Sequence, residues 1–162
     1  MLYTATLSIE IPKTVRNNEM SYKKDYERQV KAILTNAYIF EAVNLDNVPL
    51  PPNHIFTESA AWDTGAEISI ISPRVVATLG IKPFAETSIM GVGGDERVGV
   101  YKIHVGLPNG YLYEDLIVYC SDIDDYDILI GMDLISQSDF FITIINGNYH
   151  FYFQLPATGQ IG

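Results

Sequence analysis

The sequence predicts a mainly β domain, and three observations carry that reading. Short apolar, β-branched runs recur over residues 54–56, 67–71, 98–105, 111–119, 128–130, 140–145 and 149–153. Turn-forming residues separate several of them, notably Gly93-Gly94, Pro108-Asn109-Gly110 and Asn146-Gly147-Asn148. The chain of 162 residues, with 48% hydrophobic and 19% charged side chains, is long and apolar enough to close one packed core.

Taken in order, Tyr3, Ala5, Leu7, Ile9 and Ile11 alternate with polar residues and predict a half-buried strand, which Pro12 and Asn17-Asn18 break. The spacing then changes. Tyr26, Val30, Ile33, Leu34 and Ala37 share one helical face, with Lys23, Lys24, Glu27, Arg28 and Lys31 largely opposite, so a helix is expected over 21–38. Val48-Pro-Leu-Pro-Pro-Asn53 lacks the donors of a regular ladder and reads as a rigid connector. The expected organisation is thus a strand–helix extension over 1–50, packed on the same domain as residues 51–162. Ser72-Pro73 starts a short helix closed by Gly80, with serine as cap and proline at the first helical position. Pro108-Asn109-Gly110 joins the strands on either side into a hairpin. A second short helix follows Met132, and Asp133 is expected to cap it.

Charge and composition exclude several functions. Acidic residues outnumber lysine and arginine 20 to 10, a net charge of -10 that repels phosphate backbones and anionic lipid, so neither nucleic acid nor a membrane is an expected partner. One cysteine, Cys120, can form no intramolecular disulfide and supplies no cysteine-based zinc site. The first residues carry no basic segment followed by an apolar run, and no stretch has the length of a membrane helix, so a cytoplasmic location is expected. The acidic run Asp122-Ile-Asp-Asp-Tyr-Asp127 lacks the glycine and the late glutamate of a calcium loop and reads as a solvated acidic loop. Gly91-Val92-Gly93-Gly94 has no Gly-Lys-Ser/Thr behind it, which argues against a phosphate loop. His54, His104 and His150 stand at unrelated spacings, as ordinary strand residues do. No cofactor or metal is expected.

The chemistry-bearing stretch is Ala60-Ala-Trp-Asp-Thr-Gly-Ala-Glu-Ile-Ser-Ile-Ile-Ser72. Asp-Thr-Gly alone is an ordinary turn. Here apolar residues on both sides place Asp63 on a tight turn between buried strands, where a carboxylate is costly unless hydrogen-bonded or useful. Far downstream, Tyr126-Asp-Ile-Leu-Ile-Gly-Met-Asp-Leu-Ile135 describes a buried strand that ends at Gly131, where backbone passes close to backbone. Together with the glycine-rich segment Met90-Gly-Val-Gly-Gly-Asp-Glu-Arg-Val-Gly-Val100, the segment Leu107-Pro-Asn-Gly110 and Asp139-Phe-Phe-Ile-Thr143, these stretches resemble the retropepsin-like aspartic proteases. The stand-alone bacterial members are the better likeness.

The resemblance implies a closed or partly open β-barrel with a flap hairpin and short helices. It implies an aspartic endopeptidase acting on extended polypeptide, with Asp63 as the catalytic acid and base. Thr64 would bond across an interface, while Gly65 and Ala66 would let backbone donors approach the carboxylates. Gly91, Val92, Gly93, Gly94, Asp95 and Glu96 would form the flap over the substrate, and Ile130 and Gly131 would support the site. Such hydrolysis needs two carboxylates around one water, and the chain contains a single Asp-Thr-Gly. Asp133 is not a second copy, because no Ser/Thr-Gly follows it. A homodimer with the site on its two-fold axis is therefore implied. Two competing readings stand beside it: a catalytically silent dimerisation or peptide-binding module of the same fold, and an interaction protein in which Asp63-Thr-Gly is only a turn. The aromatic run 149–153 is either an interdigitating dimer strand or an internal one.

Overall fold

Strand β1 (Ser21–Tyr26) alternates between exposed residues, Ser21, Lys23 and Asp25, and half-buried ones, Tyr22, Lys24 and Tyr26. The computed structural model describes residues 21–27, 30–46, 53–91 and 93–157. The strand expected over 3–11 and residues 48–52 of the proline-rich connector lie outside them. Strand β2 (Ile33–Glu41) buries Ile33, Thr35, Ala37 and Ile39 at a period of two. The helix expected over 21–38 is therefore absent, and two strands occupy its place. The physical reason lies in the partners. Tyr22, Tyr26, Ile33, Tyr38 and Ile39 suit a pleated, half-buried surface, and three other strands are in place to complete their ladders. Thr35 hid the period, because a buried threonine with a bonded hydroxyl counts as polar in the sequence.

Strand β3 (His54–Trp62) pairs antiparallel with β2, the register shifting between Thr35 and Ala37. The chain then turns through Asp63 into the short strand β4 (Ile70–Ile71) and helix α1 (Pro73–Leu79). Ser72 caps that helix, its Oγ accepting the Val75 N–H at 3.3 Å, and Gly80 closes it in the left-handed region at φ 66°. Val75 and Leu79 face the core. Strands β5 (Ala85–Gly91) and β6 (Gly94–Gly106) form a long antiparallel hairpin. Strand β7 (Leu112–Cys120) returns along β6 through the turn at Pro108-Asn109-Gly110, where the Gly110 N–H donates to Leu107 O at 2.9 Å. Strand β8 (Ile128–Ile130) leads into helix α2 (Met132–Ile135). Strands β9 (Asp139–Ile145) and β10 (Asn148–Gln154) form the last hairpin, turning at Asn146 and Gly147 with φ of 51° and 80°.

The strands make two sheets, a seven-stranded one ordered β2-β3-β8-β4-β7-β6-β5 and a three-stranded one ordered β1-β10-β9. An additional β2–β6 pairing returns the ladder of the larger sheet toward its start. One cluster of buried side chains joins both sheets and the helices, with Ile39, Ile71, Leu79, Ile103, Ile128, Leu134, Phe151 and Phe153 among its members. No helix among the described residues is long and apolar enough to cross a membrane.

Candidate active site

Asp63 stands where β3 ends. The backbone there is held on one side by β8, which runs parallel to β3 with Ala60, Ala61 and Trp62 opposite Ile128, Leu129 and Ile130. The Asp63 N–H continues that ladder and donates to Ile130 O at 2.9 Å. The turn then closes on itself: the Gly65 N–H donates to Asp63 Oδ1 at 2.8 Å, and the Ala66 N–H to Asp63 O at 3.3 Å. A Cβ at position 65 would lie 3.1 Å from Asp63 Oδ1, so glycine leaves the carboxylate its donor and its room. Asp63 is partly exposed, Thr64 and Gly65 are exposed, and Ala66 is half-buried.

The far side of the turn is braced by the start of α2. The Met132 N–H donates to Ala66 O at 2.7 Å and the Asp133 N–H to Glu67 O at 3.1 Å. Gly131 fits between these segments because it has no side chain; a Cβ there would lie 2.8 Å from Ala66 O. Thus the 63–66 turn and the 130–132 segment, far apart in sequence, are tied together by backbone hydrogen bonds from Asp63 to Ile130 and from Met132 to Ala66, with Gly131 in close approach between them.

The roles of three contributors to this site, Asp133, Ser69 and Thr35, were not legible in the sequence. Gly131 is the N-cap of α2, so Asp133 does not cap it. Its carboxylate accepts the neighbouring Leu134 N–H at 2.9 Å and reaches back to Ser69: Oδ1 accepts from Ser69 Oγ at 2.7 Å and Oδ2 from the Ser69 N–H at 2.9 Å. Ser69 Oγ in turn accepts the buried Gly131 N–H at 3.0 Å. Behind Asp63, the indole of Trp62 packs on Phe140, Phe151 and Phe153 at ring separations of 5.8, 5.3 and 4.6 Å. Its N–H donates to the Thr35 hydroxyl at 3.0 Å. Thr35 was assigned to a helix, and nothing near Ser69 signals its partner 64 residues away.

The residues expected to form a flap sit on the β5–β6 hairpin. Gly91 pairs with Gly94, and Gly93, Gly94, Asp95 and Glu96 are exposed; Val92 lies outside the described residues. Two charged residues of this hairpin, Glu96 and Arg97, are engaged locally. Arg97 pairs with Glu86 across the hairpin, and Glu96 accepts from Ser121 Oγ at 3.0 Å.

The acidic run 122–127 divides in two. Asp122, Asp124 and Asp125 are exposed, as a solvated loop requires, but Asp127 is buried and bonded by Thr57 and Arg74. No group of three or more metal-ligating side chains occurs among the described residues. His104 is buried, its Nε2 at 2.9 Å from Val43 O and its Nδ1 accepting the Asp115 N–H at 3.0 Å, which makes it a structural histidine. Burial, and secondarily Glu96, push the Cys120 thiol pKa up.

An aspartate turn braced by a parallel strand and a glycine-started helix, in a chain that also carries a long β5–β6 hairpin, defines a retropepsin-like fold. Among solved structures, a retropepsin-like aspartic protease from Rickettsia conorii superposes with a TM-score of 0.54 at 15% identity, over 83% of this chain and 93% of that one. EIAV protease complexed with the inhibitor HBY-793 aligns with a TM-score of 0.45 at 19% identity, over 65% of this chain and 86% of that one. At 15% identity the likeness to the Rickettsia conorii protease is one of fold. No protein-family model and no curated protein matches the sequence.

Proposed function

We propose that the protein is a homodimeric aspartic endopeptidase in which Asp63 from each subunit holds one water between two carboxylates. The observation that carries this reading is the Asp63 turn itself. One carboxylate oxygen is fixed by the Gly65 N–H, and the main chain on both flanks is anchored to β8 and α2. A rigidly held, partly exposed acid at a strand end is preorganised for proton transfer.

Two carboxylates that close cannot both ionise and share one proton, the known arrangement of aspartic proteases. The ionised member takes a proton from the water as its oxygen attacks the scissile carbonyl. The protonated member gives its proton to the carbonyl oxygen, forming a neutral gem-diol. Collapse of the diol breaks the C–N bond: the carboxyl that took the water's proton gives it to the departing nitrogen, and the other carboxylate takes a proton from a diol hydroxyl, which restores the shared-proton pair. Thr64, exposed in the single chain, bonds to the facing turn. The hairpin around Gly91 to Glu96 closes on an extended peptide substrate and excludes water. Residues 51–162 carry this chemistry, with β1 and β2 of the preceding segment paired to their strands, and we assign the activity to the cytoplasm.

The test is digestion of a peptide library across pH 4 to 7 by the wild type and by Asp63→Asn. Cleavage is expected from the wild type, strongest on the acidic side, and none from the variant at unchanged thermal stability. Equal turnover by the variant refutes the mechanism; peptide binding without cleavage by the wild type supports a silent binding module instead.

A further inference from the structure

Asp115 stands in the left-handed region, at φ 55°, inside strand β7. The other described non-glycine residues with positive φ, Asp124 and Asn146, lie in turns between strands. Such a backbone is costly for an L residue and persists only where its surroundings hold it. The ladder around Asp115 is itself irregular. Ile103 pairs with Leu116 and Val105 with Tyr113, so His104 alone faces both Glu114 and Asp115, a bulge in β7.

A histidine holds the bulge. The His104 side chain is 2% exposed, and its Nδ1 accepts the Asp115 N–H at 3.0 Å. A backbone N–H only donates, so the ring proton sits on Nε2, which donates to Val43 O at 2.9 Å. This bonding belongs to the neutral ring alone, because a proton on Nδ1 would set N–H against N–H. An acceptor for that proton is already in place. Asp115 Oδ1 lies 4.0 Å from Nδ1, and the Asp115 side chain is 65% exposed. Among the described residues it is the only carboxylate that close to a ring nitrogen of His104.

The other titratable and charged groups around the ring are turned elsewhere. Tyr38 of β2 and His54 of β3 pack on Phe40, the β2 residue that pairs with His104. Glu41 of β2 pairs with Ile103 and Tyr113 of β7 with Val105, so both lie on the opposite face from His104. Glu114 on β7, Lys102 on β6 and Asp46 in the loop after β2 are exposed.

We propose that His104 and Asp115 form a proton-operated switch at this bulge. With the ring neutral, Nδ1 accepts the Asp115 N–H and keeps residue 115 left-handed. When Nδ1 takes a proton from solvent, the ring gains one positive charge and donates its Nδ1–H to the Asp115 carboxylate. The Asp115 peptide turns away, its N–H passes to water, and residue 115 relaxes into ordinary extended backbone. The Nε2–H stays on Val43 O in both states, so only the β7 side of the ring changes partners. Imidazole is the side chain that ordinarily changes charge between about pH 5 and about pH 8, which suits it to such a device. The switch makes no use of Asp63 and stands whether or not the protein cleaves peptides.

Imidazole nitrogen shifts by NMR and amide hydrogen exchange of the full chain, followed from about pH 8 to about pH 5, test this. At the upper end His104 should be the Nε2–H tautomer and the Asp115 amide protected. At the lower end both ring nitrogens should carry protons, and protection of the Asp115 amide should fall at least about tenfold. The Tyr119 N–H, bonded to Ser69 O at 3.1 Å from the same strand, should keep its own. Asp115→Asn retains the N–H and tolerates positive φ. Without the carboxylate the His104 ring should take its proton only at lower pH, and the amide at 115 should stay protected with it. His104→Gln identifies the ring's signals and should remove the pH response of the Asp115 amide; where that variant does not fold, Asp115→Asn decides alone. The switch is overturned by a ring still neutral at about pH 5 or already protonated at about pH 8. It is equally overturned by a protonated ring with the Asp115 amide unmoved, or by an Asp115→Asn ring that titrates as the wild type does. Loss of Tyr119 protection together with that of Asp115 also overturns it, since that is unfolding of the strand and not a local exchange of partners.

Discussion

Replacement of Gly131 by alanine isolates the close approach on which the aspartate turn depends. Its backbone, at φ -93° and ψ -173°, is extended and open to any residue, so the substitution introduces no torsional strain. The cost is contact. The new Cβ would lie 2.8 Å from Ala66 O, 3.0 Å from Ile68 C and 3.1 Å from Ile68 O, all of them backbone atoms. Ala66 O cannot retreat without lengthening the 2.7 Å hydrogen bond from the Met132 N–H. Overpacking of this kind costs about 1–3 kcal/mol, and a weakened hydrogen bond adds about 1 kcal/mol. The expected loss is about 2–4 kcal/mol, which for a domain of this size lowers Tm by roughly 5–15 °C. Thermal melts followed by circular dichroism, with urea midpoints alongside, measure it. Gly93→Ala is the control: nothing lies within 4 Å of its Cβ, and it should stay within about 0.5 kcal/mol of the wild type. A Gly131→Ala variant that melts with the wild type would refute the packing of α2 against the Asp63 turn.

Other outcomes follow from the same geometry. Thr35→Val should cost about 1–3 kcal/mol by leaving the Trp62 indole N–H buried and unpaired, read in urea by the fluorescence of the single tryptophan. Ser69→Ala removes a donor to Asp133 and the acceptor of the Gly131 N–H; a loss of about 1–3 kcal/mol is expected, together with slower peptide cleavage in a digest below the melting range. Cys120, whose thiol is raised by burial and then by Glu96, should hold less thiolate at pH 8 than a free cysteine. Its alkylation should be slow in the native protein and accelerate in denaturant. Because the neutral thiol is the form the fold favours, its contribution to stability is complete below the unfolded thiol's pKa and fades as pH rises through the folded one.

Much of the fold was legible in local chemistry. Ser72-Pro73 and Gly80 bound α1, Pro108-Asn109-Gly110 turns the β6–β7 hairpin, and Ile128–Ile130 forms β8 with the predicted limits. Each of these depends on a few neighbouring residues whose backbone preferences act alone. The Asp63 turn was readable for the same reason, since Gly65 and the flanking apolar residues are adjacent to the acid.

What the sequence by itself determined, then, is the set of turns, caps and short apolar runs of a β-rich chain and the place of one acid among them. The tertiary structure decided what depends on partners many residues away. Residues 21–38 carry a helical spacing of apolar side chains, yet β10, β3 and β6 supply strand partners, and Trp62 accommodates Thr35 in the core. Asp133 and Asp127 looked like a cap and a loop acid until Ser69, Thr57 and Arg74 were brought to them. The apolar edge of β9 came from the same source, because exposure belongs to the packed molecule and a run of isoleucines reads alike whether it is covered or bare.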